Sequence, residues 1–483
     1  MTVVLSSRHD ITLESFAAIA WRGEQVAIPG PALAKLATLR GHYEALISGG
    51  QGVYGISVGQ GEMAVNAMTD EEVDRLARMK PLAAAVTFGP SYPHRVRRGI
   101  VLARLANLLG GHGGGTVRLV TDIATMLNED RIPDLSQSGH GGPGEILALY
   151  KLFADLSQSR ELVAGERGAL INGAPCAAAL LADATLVAER RIALAEHVLA
   201  LAIDAFNAPD EHCRRDLGEL WGGDHNRTAF DRLSRLLAHD HPIPQRDHQA
   251  PVAFRSAPAM LALAHWALAG AKALGEQALS AVSHNPVWLP PTPAHPHGEA
   301  FSTGGYNNAM AAPAMDNLAA ASVELCLLCE RLSTGLLNAR VSGMPEFLLT
   351  DRDAGNTDGH GAVGYIPMAI VGFLEEARNA AQRTFTPASD MSVYGQDNVA
   401  ATAFLAWPKQ ETAGRCLDSC LALLGVVASQ AFHVTGRKPR SDPLAETLAT
   451  IRAHVPPVSA DRVLGPEIGR LFDAFRVELY PAE

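Results

Sequence analysis

The sequence is poor in aromatic and charged residues. Aromatic residues make up 6% of the 483 residues and charged residues 19%, whereas apolar residues reach 47%. A chain that is rich in Ala and Leu but short of aromatic and β-branched residues favours helices over sheets, and its apolar content argues against disorder. We therefore predict a helix-rich protein with a sizeable core.

Basic residues are also scarce. The 40 Lys and Arg against 51 Asp and Glu give a net charge of −11, and no dense basic cluster offers a surface to nucleic acid or to an anionic membrane. The first residues, Met1 to Asp10, lack the pattern of a secretory signal, and uncharged apolar stretches such as Leu421 to Ala428 are too short to span a bilayer. We expect a cytoplasmic protein with a small-molecule partner.

Cysteine is sparse, with six residues in the whole chain. Cys326 and Cys329, and likewise Cys416 and Cys420, are spaced three and four residues apart inside helical patterns, with no second pair or His cluster placed to complete a zinc site. We expect buried, reduced thiols, and neither a metal nor a cofactor.

Long helical segments dominate the second half of the chain. The clearest are Ala174–Phe206, Ala309–Leu337, Tyr365–Phe385 and Asn398–Phe432. Helices near 30 residues predict a bundle, and Ala-rich faces allow close helix packing while leaving apolar surface for other subunits to cover. We expect a homo-oligomer.

No composition shift marks a domain boundary. We interpret residues 1–483 as one unit, with a loop-rich part carrying the active site at about 1–170, a central bundle of long helices at 171–440 and a helical end at 441–483. The proline-rich stretch Pro286 to Pro296 is predicted to be an extended surface loop.

Tyr54 lies in a glycine-rich segment, Val53 to Gly61. Glycines bring the backbone close to a ligand, and a tyrosine whose site lowers its pKa transfers protons. Taken alone, the pattern is more typical of a tyrosine that only packs and hydrogen-bonds. The rest of the sequence changes that interpretation.

Several motifs together, in order along nearly the whole chain, resemble the aromatic amino acid lyase family, which contains the histidine, phenylalanine and tyrosine ammonia-lyases. The tyrosine segment resembles the family's Tyr-Gly-Val-Asn-Thr-Gly-Phe-Gly. The later motifs are Asn172-Gly173-Ala174-Pro175, Gln249 to Pro258, Ser283-His284-Asn285-Pro286 (Ser-Asp-Asn-Pro in the family), Ala314 to Leu318, Ser342 to Phe347, and Val458 to Ile468.

The resemblance implies an all-α fold of the histidine ammonia-lyase and fumarase-like type, and a homotetramer whose active sites take loops from three subunits. It assigns Tyr54 to proton transfer at the bond being broken, and Asn172 and Arg255 to the substrate's carboxylate, which suits a planar guanidinium. The structural alternatives are an ion pair for Arg255 and a helix N-cap for Asn172.

The sequence departs from the family at its prosthetic group. Family members form a methylidene-imidazolone electrophile from their own Ala-Ser-Gly, and Gly142-Pro143-Gly144 stands in that place. Pro143 has no hydroxyl to eliminate, so the group cannot form and the usual activation of a primary amine is not available.

Other site positions also differ. A family tyrosine becomes Val252, a glutamate becomes Gln396, and the phenylalanine of Gly-Asn-Phe-His becomes Tyr306. Glu376 and Arg378, at the family's Glu-Asn-Lys position, are candidates for binding the substrate's ring, together with Gln396. The alternative is that they form a salt bridge along a helix.

A lyase without its electrophile still eliminates a group that needs no activation, and a quaternary ammonium is such a group. The resemblance therefore predicts an ergothionase-like lyase that releases trimethylamine from an ergothioneine- or hercynine-like betaine. Tyr54, Tyr306 and Trp288 would offer aromatic faces to the cation, and Glu145 a charge, although packing roles are the alternative for Trp288 and Glu145. The competing hypotheses are other elimination or proton-transfer chemistry, and a non-catalytic binding scaffold.

Overall fold

The computed structural model describes residues 1–59, 66–80, 82–239, 249–350, 361–386, 388–391 and 397–479. The chain is 64% helical, which confirms the all-α prediction. Three two-stranded ribbons are described: β1 (Thr2–Val4) pairs in parallel with β2 (Gln25–Ala27), and β3 (Val287–Leu289) with β4 (Glu299–Phe301) and β5 (Ala388–Met391) with β6 (Asp397–Val399) pair antiparallel.

The helices described before the central bundle are α1 (Leu13–Phe16), α2 (Gly30–Ser48), α3 (Asp70–Arg78), α4 (His94–Leu109), α5 (Val117–Asn128), α6 (Ile146–Leu152), α7 (Ala154–Ser159) and α8 (Glu166–Ile171). Those that follow are α9 (Pro175–Ala205), α10 (Arg215–Trp221), α11 (Asp224–Leu236), α12 (Val252–Ser280), α13 (Ala311–Leu337), α14 (Ala339–Ser342), α15 (Gly361–Gly364), α16 (Ile366–Ala380), α17 (Ala403–Thr435), α18 (Asp442–His454) and α19 (Gly465–Leu479).

The long helices α9, α12, α13 and α17 pack against one another and form the core. The helix predicted at Ala174–Phe206 is observed within one residue at each end. The one predicted from Asn398 begins five residues later, because β6 occupies Asp397–Val399, and the one predicted to reach Phe385 stops at Ala380. The stretch expected to be an extended loop contains β3, the first strand of a hairpin.

The central helix α9 carries buried charges, and each is paired. The carboxylate of Asp183 accepts hydrogen bonds from Arg95, Trp21 and Trp407. The other buried pairs are Arg191 with Glu411 and Asp418, Glu196 with Arg232 and His265, and Asp204 with Arg437 and Arg440. Buried charges are tolerated because partners replace the lost hydration, so these pairs fix how neighbouring helices dock on α9.

The apolar helices are longer than the sequence argument allowed. Four described segments are long and apolar enough to cross a membrane by length and composition: Glu166–Ala205, Val252–Ser280, Ala311–Leu337 and Ala403–Thr435. The prediction that the apolar stretches of this chain are too short to span a bilayer was therefore wrong. The most apolar part of each segment is 50 to 89% buried inside the fold, and all six cysteines are buried and unpaired, as expected.

Candidate functional site

Tyr54 and Asn172 line one small cavity of about 10 Å³. The cavity lies between the tyrosine loop, the end of α8 and the segment that follows α12. Its other lining residues include Tyr43, Gly55, His284 and Asn285. Two residues that the sequence assigned to chemistry are thus brought together within one chain.

The tyrosine loop is held by its own hydrogen bonds. The Val53 amide donates to Ser57 Oγ at 2.8 Å, and that hydroxyl donates to the carbonyl of Gln51 at 2.8 Å. Gly55 adopts a φ of 67°, which only glycine enters without strain, so the turn after Tyr54 depends on it. Tyr54 is half-buried at the cavity wall.

Asn172 ends α8, because its amide N–H donates to the carbonyl of Gly168 at 2.9 Å. Its side-chain Nδ2 donates to the carbonyl of Asn285 at 3.0 Å, and its own carbonyl accepts from Arg104 Nη1 at 3.0 Å. The suggestion that Asn172 caps the N-terminus of the following helix is wrong, since it does not bond to the first turn of α9.

Glu145 performs that capping. One carboxylate oxygen accepts from the Ala177 amide at 2.6 Å and the other from the Cys176 amide, both in the first turn of α9. Burial raises the pKa of Glu145 to about 7, against the lowering effects of these amides and of Arg104. Glu145 is buried and directed at a helix end. It therefore neither presents its charge to a substrate cation nor serves in packing alone, which were the two interpretations from the sequence.

The glycine-rich loop at Pro143 adjoins the same region. The carbonyl of Gly142 accepts from the Ala401 amide at 3.0 Å, and the ring of Tyr306 lies so close to Gly144 that a Cβ there would approach its Cδ2 to 3.0 Å. The segment between β4 and Tyr306 is held as well, because the Thr303 amide donates to Asn285 Oδ1 at 3.0 Å. Tyr306 therefore borders the loop where the family builds its electrophile.

Trp288 belongs to the core. Its indole is fully buried, donates to the carbonyl of His297 at 3.1 Å and packs edge-on against Tyr43 with 5.9 Å between ring centroids. The prediction that this face receives a cation is wrong, because the ring has no access to the cavity.

Arg255 is not near Tyr54 within one chain. It lies in the first turn of α12, where its Nε donates to the carbonyl of Ala250 at 2.8 Å. The Tyr54 cavity is reached only after the other end of α12, and a helix rising ~1.5 Å per residue separates the two by roughly 38 Å. No ion pair to Arg255 is found in the described residues, so the structural alternative finds no support there.

The ring-binding candidates lie apart from the cavity as well. Glu376 and Arg378 are exposed on α16, and Arg378 pairs with Glu375 at 2.6 Å. Gln396 lies outside the described residues. Within one chain, the structure therefore gathers Tyr54 and Asn172 in one cavity and Tyr306 beside it, and leaves Arg255, Glu376 and Arg378 elsewhere.

The sequence argument had given no role to two further residues, of which one lines this cavity and the other lies behind its wall. His284 is 1% exposed, lines the cavity and bonds through Nε2 to the carbonyl of Asn107 at 3.2 Å; burial and the nearby Arg104 lower its pKa to about 3. Arg104 is fully buried behind Asn172, and burial lowers its pKa to about 10. In the sequence, these two residues were indicated only by His284, which stands where the family's Ser-Asp-Asn-Pro motif has aspartate.

Comparison with known proteins places this geometry in context. A family model described as aromatic amino acid lyase matches residues 11–156 and 154–453. Histidine ammonia-lyases of Streptomyces avermitilis and Deinococcus radiodurans are 26% and 25% identical; the alignments cover 98% and 96% of this chain, and 96% and 92% of those proteins.

Solved structures show the same fold. Ergothionase from Treponema denticola, an ergothioneine-degrading enzyme solved with desmethyl-ergothioneine sulfonic acid, superposes with a TM-score of 0.89 at 17% identity, covering 99% of each chain. Histidine ammonia-lyase from Trypanosoma cruzi gives a TM-score of 0.85 at 20% identity, covering 100% of this chain and 95% of that one.

Proposed function

Because the chain belongs to the aromatic amino acid lyase family, we propose that it is a carbon–nitrogen lyase that eliminates trimethylamine from an aromatic or imidazole amino-acid betaine. The product is the α,β-unsaturated acid. One observation carries the proposal: Tyr54 and Asn172 share a cavity, while the position of the electrophile-forming serine is held by Pro143.

The residues at this loop do not fit the methylidene-imidazolone group. Its formation requires loss of a serine hydroxyl, and neither Gly142, Pro143 nor Gly144 carries one. No step of the proposed reaction therefore passes through that group. The proposal accordingly involves no conversion of a primary amine into a better leaving group.

A trimethylammonium group needs no such conversion. A base removes the β-proton, the new double bond forms from that electron pair, and the C–N bond electrons leave with neutral trimethylamine. Tyr54 is assigned as the base, because it lies on the cavity wall and its loop is held by hydrogen bonds to Ser57. Tyr306, beside the Pro143 loop, would offer its ring face to the methylated cation.

Binding of the substrate's carboxylate by both Asn172 and Arg255 requires a second subunit. Asn172 lies at the cavity, whereas Arg255 lies at the far end of α12, so the two meet only if another copy of the chain brings its own Arg255. Exposed apolar side chains in this single chain, such as Trp266 (48% exposed) on α12 and Met368 (72%) on α16, favour such contacts. We propose a homotetramer with shared active sites.

Ring recognition is proposed for Glu376, Arg378 and Gln396, on the resemblance alone. The exposure of Glu376 and Arg378 on α16 allows them to enter a neighbouring subunit's site. Their identities do not choose between an imidazole, its thione and a phenol.

The test is a UV scan of the purified protein with ergothioneine, hercynine, tyrosine betaine and unmethylated histidine, joined to an assay for trimethylamine. We expect a conjugated acrylate and trimethylamine from at least one betaine and no product from histidine. Product from histidine would contradict the leaving-group argument. Failure of all four, without a ligand-induced thermal shift, would favour a binding scaffold or another substrate.

A further inference from the structure

Arg104 is an unusual arginine for its helix. α4 contains three buried arginines, and two of them have carboxylate partners: Arg95 pairs with Asp183 at 2.9 Å, and Arg98 with Asp130. Arg104 is the most deeply buried of the three, at 0% exposure. Its Nε and Nη2 have no hydrogen-bond partner among the described residues.

The neighbours of Arg104 do not supply the missing anion. Glu145 is close enough to influence its pKa, but both Glu145 oxygens are engaged by the first amides of α9, whose positive dipole end they offset. His284 is the other neighbour, and it stays neutral, because burial and Arg104 both oppose its protonation. An aspartate at position 284, as in the resembling motif, would place a countercharge there.

This charge lies one peptide unit behind the cavity wall. Arg104 Nη1 donates to the carbonyl of Asn172, whose side chain lines the cavity, and a Cβ on Gly173 would meet Nη2 at 3.0 Å. A cation in such a dry, low-dielectric setting is screened far less than one at the surface, so its field reaches the cavity.

We infer that the buried charge of Arg104, left without a hydrogen-bonded carboxylate where position 284 is a histidine, makes the Tyr54 cavity selective for an anionic carboxylate ligand. Arg104 is a positioning residue that acts through Asn172 and through its field, and His284 is the specificity-determining position. The inference rests on the proposed function in taking the ligand to be a carboxylic acid.

The test compares charged ligands with matched neutral ones. Calorimetry would give the Kd of cinnamate and of urocanate, and of their two primary amides, for the whole oligomeric protein. We expect the wild-type protein to prefer each acid over its amide by at least tenfold. His284→Asp, which supplies a countercharge to Arg104, is expected to reduce that preference at least tenfold.

Two controls separate charge from packing. His284→Asn adds no charge and is expected to shift both Kd values in parallel, leaving their ratio within about threefold. Arg104→Lys keeps the charge but loses the guanidinium Nη1 that donates to the Asn172 carbonyl, so the preference for the acid persists, whereas Arg104→Met loses that preference. Should Arg104→Met fail to fold, His284→Asp decides alone.

An undiminished preference in His284→Asp would overturn the inference, as would a wild-type protein that binds neither acid. The proposed function fails differently, through the absence of trimethylamine release from betaines. A protein that keeps the acid preference but releases no trimethylamine would support the selectivity and refute the elimination.

Discussion

At the scale of single residues, the candidate site divides into groups that are proposed to act on the substrate and groups that hold them in place. Tyr54 and Asn172 face the cavity, while Arg104 and Asn285 bond to Asn172, and Ser57 accepts from the amide of Val53, the residue before Tyr54. The motif order in the sequence identified the first group. The second depends on which distant segments fold against it, and therefore came from the structure.

Tyr54→Phe tests the base directly. The substitution removes the phenolic oxygen and keeps the ring, so we expect turnover of a betaine to fall by ~10²-fold or more, since general base catalysis contributes about that much. Binding should stay within about threefold. Steady-state kinetics and calorimetry measure the two effects, and an active variant would remove Tyr54 from the mechanism.

Arg255→Ala tests whether Arg255 binds the substrate's carboxylate. If the guanidinium binds the substrate's carboxylate in an assembled site, the variant should bind carboxylate ligands more weakly by ~2 kcal/mol, the cost of losing a charge-assisted hydrogen bond. Affinity for the corresponding amide serves as the control, and equal losses for acid and amide would argue for a merely structural arginine.

At the scale of secondary structure elements, the bundle depends on a few close contacts between helices. Arg191 of α9 binds Glu411 and Asp418 of α17, and burial raises the pKa of Asp418 to about 6 despite this pairing. The guanidinium fits against α17 because the residue facing it is Gly414, where a Cβ would lie 2.2 Å from Arg191 Nη1. Glycine here is explained by a neighbour on another helix.

Gly414→Ala should therefore destabilise the protein. Although alanine favours a helix, the added methyl displaces a buried ion pair, and breaking such a pair costs ~3 kcal/mol. Gly41→Ala is the matched control, because a Cβ at this exposed position of α2 meets nothing within 4 Å, and it should stabilise by about 0.5 to 1 kcal/mol. Chemical denaturation measures both, and a harmless Gly414→Ala would contradict the proposed fit.

At the scale of the whole molecule, one chain holds the residues proposed for the site at separate ends of α12. A site containing both Tyr54 and Arg255 therefore needs more than one subunit. In such an oligomer, contacts between subunits would also bury the apolar surface of α12 and α16, which is exposed in a single chain.

Complementation tests this sharing. Tyr54→Phe, impaired in turnover, and Arg255→Ala, impaired in binding, should recover part of the wild-type activity when co-expressed, because some sites in mixed oligomers receive an intact copy of both residues. Co-expressing either variant with itself is the control. No recovery in mixed oligomers verified by mass spectrometry would contradict shared sites.

The sequence alone determined the helical class, because Ala- and Leu-rich segments near 30 residues have few other ways to bury their apolar faces. It also identified the family resemblance and the missing hydroxyl at Pro143, since both follow from residue identity and order. The division of the chain into three parts, at about residues 170 and 440, stays a prediction.

Only the tertiary structure decided the roles that depend on neighbours distant in sequence. Trp288 became a core residue, Glu145 the cap of α9, and Arg104 a buried cation without a carboxylate partner among the described residues. Each outcome rests on contacts between segments roughly ten to more than a hundred positions apart. A one-dimensional pattern carries no distances between such segments, so it could name the chemical groups but not the partners that set their charge and access.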